Sequence, residues 1–134
     1  MFLTNYLEQH ENIKKETKAI DELLMKGDIK GNAFEISMHI SRLAGIIKIH
    51  LSTEDKYLYP ELIKNSDEKI SSMAKKYQDE MGDIVNIFTA FKEKYFTKAK
   101  VEAGADTLER EYKNVIGQLS QRMRKEENEL YKLI

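Results

Sequence analysis

The chain has 134 residues with 22 Lys+Arg against 23 Asp+Glu, a formal net charge of −1. A near-neutral balance argues against a nucleic-acid binder, and the absence of cysteine excludes disulfides, thiolate metal sites, iron–sulfur clusters and covalent haem. No apolar run approaches the roughly 18–20 residues that span a bilayer, and Met1–Glu8 lacks the basic start and apolar middle of a signal peptide. The expectation is a cytoplasmic protein of one domain, residues 1–134, with no membrane or nucleic-acid partner. One proline, six glycines and 34% charged residues suit long amphipathic helices.

Four periodic segments follow in chain order. The first runs from about Thr4, a candidate N-cap, to about Met25, with Leu3, Leu7, Ile13, Ile20 and Leu24 on one face. Lys26–Asn32, with two glycines, breaks it. The second spans about Ala33 to Leu58, with Leu43, Ile46, Ile47 and Leu58 inward; Pro60 ends or kinks it, and Glu61–Ile63 adds a turn at most. The third starts at Ser66 or Asp67 and reaches about Phe96, its stripe running from Ile70 to Tyr95. Ala103–Asp106 is the next break, and Asp106 with Glu109 resembles a capping box. The fourth runs from about Thr107 to the C-terminus with Leu108, Tyr112, Val115, Leu119, Met123 and Leu130 inward. Short connections between four such helices predict an all-α, up-down-up-down antiparallel four-helix bundle. No short internal repeat is visible.

Ionisable residues interrupt these stripes. His10 lies between Leu7 and Ile13; His50 follows Ile47 by three and precedes Glu54 by four, one turn along the same face. Glu126 lies between Leu119 and Leu130, with Arg122 one turn before it. Two readings stand side by side. The histidines are hydrogen-bonded core residues and the glutamates sit at a solvated edge; or the four converge on a cation, which relieves the cost of burying carboxylates. His39, about 16 Å along the axis from His50, cannot share its metal and is read as partnered near the bundle's end, with Glu35 one turn away. Tyr57, Tyr59 and Tyr131 are read as aromatic packing, and the Lys/Glu runs as solvated faces with Glu126 alone inward.

The segments Gln9-His10-Glu11-Asn12-Ile13, His50-Leu51-Ser52-Thr53-Glu54 through Leu58-Tyr59-Pro60, and Glu126-Glu127-Asn128-Glu129-Leu130-Tyr131 resemble the hemerythrin-like cation-binding (HHE) domain. The resemblance covers nearly the whole chain. It implies a four-helix bundle and a non-haem iron site in which each of two irons has its own histidines and two carboxylates are shared. It also implies roles such as oxygen or nitric oxide binding, iron handling or stress response. Met81 and Arg122 stand where the family has its other histidines. The resemblance therefore implies a reduced set of metal ligands, His10, His50, Glu54 and Glu126, holding one iron per chain. Zinc and manganese also suit two imidazoles with carboxylates. Arg122 is expected to pair with Glu126 or Glu54 in place of the second metal, and Met81 to fill volume. The competing readings are a metal-free structural or interaction module, its carboxylates neutralised by Arg122, and a haem held by a histidine and Met81. No nucleophile–base pair or phosphate loop supports a conventional enzyme.

Overall fold

A computed structural model describes residues 3–133. The chain forms α1 (Leu3–Met25), α2 (Ala33–Thr53), α3 (Tyr59–Ile63), α4 (Glu68–Tyr95), α5 (Lys98–Ala103) and α6 (Ala105–Lys125). Two π-helical turns, Glu54–Leu58 and Glu126–Leu130, follow α2 and α6, and a 3-10 turn, Tyr131–Leu133, comes last. No strand occurs among the described residues. The long helices α1, α2, α4 and α6 form the expected antiparallel bundle, with no helix among the described residues long and apolar enough to cross a membrane.

The local chemistry explains the ends of these helices. Gly27, at φ 78°, closes α1 in the left-handed region that side chains avoid. Asp67 caps α4 by accepting from the Lys69 amide at 2.9 Å, and Thr97 caps α5 by accepting from Lys100. Pro60 sits in the first turn of α3, where its missing N–H costs nothing, so α2, the π turn and α3 form one continuous rod. Each π turn is closed five residues back, Tyr59 N–H to Glu54 and Tyr131 N–H to Glu126. The buried apolar side chains form two clusters. A large one includes Ile13, Ile40, Leu51, Phe91 and Met123; a smaller one at the other end includes Tyr6, Leu58, Tyr77 and Leu130.

Several expectations are corrected. Thr4 lies inside α1 and caps nothing, because the helix already includes Leu3. Leu7 is 41% exposed; Tyr6 takes the inward place one residue earlier. The Asp106 capping box does not form: α6 starts at Ala105 with Gly104 before it, which leaves Asp106 an exposed acid in the first turn. α4 ends at Tyr95, as expected, and a short helix that the sequence did not announce, α5, follows it before the break, started by the Thr97 cap. Tyr57 is 66% exposed on the π turn and packs into no core. His39 pairs with Glu16 of α1 at 2.7 Å, not with Glu35 of its own helix.

Candidate metal centre

α1 supplies His10, α2 supplies His50, and the first residue of each π turn is an inward glutamate, Glu54 and Glu126. All four are at most 1% exposed. One ligand-capable atom from each lies within 4.8 Å of the others. The structure thus brings together every site residue expected from the sequence.

The imidazoles face one another, Nε2 to Nε2 at 3.1 Å. Their outer nitrogens are already occupied: His10 Nδ1 donates to Glu127 Oε1 at 3.0 Å, and His50 Nδ1 to Gln9 Oε1 at 2.6 Å. Because both acceptors are oxygens, each ring carries its proton on Nδ1 and points an Nε2 lone pair inward. Two lone pairs at this distance repel unless a cation or proton lies between them. The glutamates repeat the pattern. Glu54 Oε1 abuts His50 Nε2, and Glu126 Oε1 lies 3.4 Å from His10 Nε2. Neither Glu54 oxygen, nor Glu126 Oε1, has a hydrogen-bond partner among the described residues. The other Glu126 oxygen accepts from the Tyr59 hydroxyl at 2.7 Å. Buried acceptors without donors are the signature of a site for a positive charge.

The electrostatics agree. Burial, then the neighbouring His10, pushes the His50 imidazolium down to about 4, against the pull of Glu126, so this ring is neutral at neutral pH. Burial and the adjacent Glu126 raise Glu54 well above the carboxylate range. Burial also works against Glu126, but its close neighbours Glu54 and His10 and the Tyr59 hydroxyl hold it below that range. The two carboxyls are thus pushed in opposite directions by the charge they would bring together, and a divalent cation would relieve it.

Arg122 is buried as expected, but its partner differs. Its guanidinium pairs with Glu80 of α4 and lies 4.8 Å from the Tyr77 ring, not against Glu126 or Glu54. Helical side chains lean toward the N-terminus, so Arg122 points away from Glu126 one turn later and reaches α4 instead. Met81 is 2% exposed and belongs to the large apolar cluster. Gln9 and Glu127, which orient the imidazoles, were not singled out by the sequence; both sit at the edge of a face that reads as solvated.

The family model of the hemerythrin HHE cation-binding domain matches residues 1–134, the whole chain. No curated protein and no solved structure gives a match. A helical bundle that gathers two imidazoles and two carboxylates in its interior, matched end to end by that model, belongs to the hemerythrin HHE cation-binding domain family.

Proposed function

We propose that the protein holds one metal ion per chain, through Nε2 of His10 and His50 and the carboxylates of Glu54 and Glu126. The observation that carries this reading is the pair of inward Nε2 lone pairs at 3.1 Å, each fixed by an outer hydrogen bond. Gln9 and Glu127 stand to the imidazoles as orienting partners do in metal sites generally. Two imidazoles with two carboxylates suit Fe(II), with zinc and manganese as competitors. Bound iron would supply a redox-active cation with coordination positions open to a small diatomic molecule such as oxygen or nitric oxide. On this reading the chain is a binding or sensing module. The metal-free alternative relied on Arg122 neutralising the buried carboxylates, and the pairing of Arg122 with Glu80 speaks against it.

Elemental analysis after anaerobic purification without chelators tests the proposal. The expected result is about one equivalent of tightly held metal per chain, iron foremost. A metal-free product that also takes up no Fe(II), Zn(II) or Mn(II) on dialysis refutes it, and two equivalents of iron refute the single-metal reading.

A further inference from the structure

The interior polar residues fall into two series at almost constant separation. Tyr6, Gln9 and His10 of α1 recur seventy-one positions later as Tyr77, Glu80 and Met81 of α4. His50, Glu54, Leu58 and Tyr59 recur seventy-two positions later as Arg122, Glu126, Leu130 and Tyr131. The contacts recur as well. Gln9 holds the His50 ring, and Glu80 holds the Arg122 guanidinium. The Tyr6 ring packs 6.5 Å from the His50 ring, and the Tyr77 ring 4.8 Å from Arg122. In both series the glutamate opens a π turn closed by the amide of the tyrosine five residues later. A repeat this long escapes a search for short motifs, because most of its surface positions differ.

We infer that Arg122 is the resident cation of the second of two like hairpins, standing where His50 stands in the first, so that only the first hairpin's half takes a metal. This rests on the reading that the first half binds metal. Where the first copy offers an imidazole pair oriented by a neutral amide, the second offers a permanent positive charge held by an anion. The replacements are matched to one another. Met81 in place of His10 removes a ligand and keeps the volume apolar. Arg122 in place of His50 brings the charge, and Glu80 in place of Gln9 balances it. One half of the bundle keeps the metal ligands and the other a guanidinium–carboxylate pair, and the residues that set the metal stoichiometry are Glu80, Met81 and Arg122.

Two mirrored triple variants test this by metal content and thermal melting. Glu80→Gln/Met81→His/Arg122→His should take up a second equivalent of Fe(II) or Zn(II), so that stoichiometry rises from one to two. Gln9→Glu/His10→Met/His50→Arg should bind none and still fold as a helical bundle by circular dichroism. A parent that binds no metal sinks the function reading, and this inference falls with it. A parent with one equivalent beside a folded first triple that also holds one overturns this inference while leaving the function reading intact. Should the first triple not fold, the mirrored variant decides: a metal-free folded bundle supports the inference, and an unfolded or metal-retaining one overturns it.

Discussion

His50→Ala is expected to retain no tightly bound metal and to melt with or without added Fe(II) as the metal-free parent does. The substitution removes one of two imidazole ligands and strands the other, and burial, which already disfavours the charged form of Glu54, leaves the remaining carboxylates a poor set for a cation. A ligand present at one hundred times its Kd stabilises the folded chain by about 2.7 kcal/mol. Loss of binding therefore appears as a loss of the metal-dependent rise in melting temperature as well as in elemental analysis. Gln9→Ala and Glu127→Ala leave every ligand in place but free one ring each, and loss of such an orienting partner typically weakens binding by about 10–100-fold. Met81→Ala, which removes none of the expected ligands, should leave most of the binding. A His50→Ala protein that keeps a full equivalent of metal would show that the imidazole pair is not the centre.

Arg122→Ala and Glu80→Ala are both expected to destabilise the chain markedly, but not equally. Breaking a buried ion pair by removing one partner costs about 3–5 kcal/mol. Glu80 is 32% exposed on its side chain, so the carboxylate left by Arg122→Ala regains water, which places that variant near the lower end, about 3 kcal/mol. Glu80→Ala instead leaves a guanidinium that is 8% exposed, with two nitrogens already lacking partners, near the upper end of about 5 kcal/mol. Each kcal/mol moves the melting midpoint of a chain of this size by roughly 2–8 °C. The double variant Arg122→Met/Glu80→Leu replaces the pair by apolar groups of similar volume and should recover most of the loss. Singles that melt like the parent would show that the pair contributes nothing, as exposed pairs often do.

The bundle and its four inward polar residues were legible because their spacing follows the 3.6-residue period over long, uninterrupted stretches. What was not legible is where that period changes. Glu127 reads as solvated at 100° per residue, yet the π turn that begins at Glu126 widens the helix and swings Glu127 onto His10. The partner of Arg122 was misread for a related reason. The i,i+4 spacing to Glu126 is a statement about the backbone, whereas the direction in which a helical side chain leans decides whom it meets. Leu7 and Tyr6 show a third limit: both are apolar neighbours, and only the packing against the smaller cluster decides which of them faces in. The partners of His39 and Arg122 both come from other helices, at separations no local pattern encodes.

On three of the four long runs a buried polar residue separates the two apolar clusters, whereas α4 carries Tyr77 and Met81 one turn apart across the boundary. On α1 His10 stands between Tyr6 and Ile13; on the rod after α2 Glu54 stands between Leu51 and Leu58; on the way out of α6 Glu126 stands between Met123 and Leu130. This polar layer is a seam. Among the described residues the smaller side holds nine buried apolar side chains and the larger twenty-one, so each has a packing energy of its own. A cation drawing on α1, α2 and the turn after α6 joins the two sides like a rivet, and without one the facing acceptors weaken a seam spanned by the continuous α4 and the Tyr59–Glu126 hydrogen bond. Folding cooperativity then becomes a property of the loaded protein. In metal-free solution the tyrosine-rich small side, seen by near-ultraviolet circular dichroism, should melt before the helices seen in the far ultraviolet, and added metal should merge the two transitions into one.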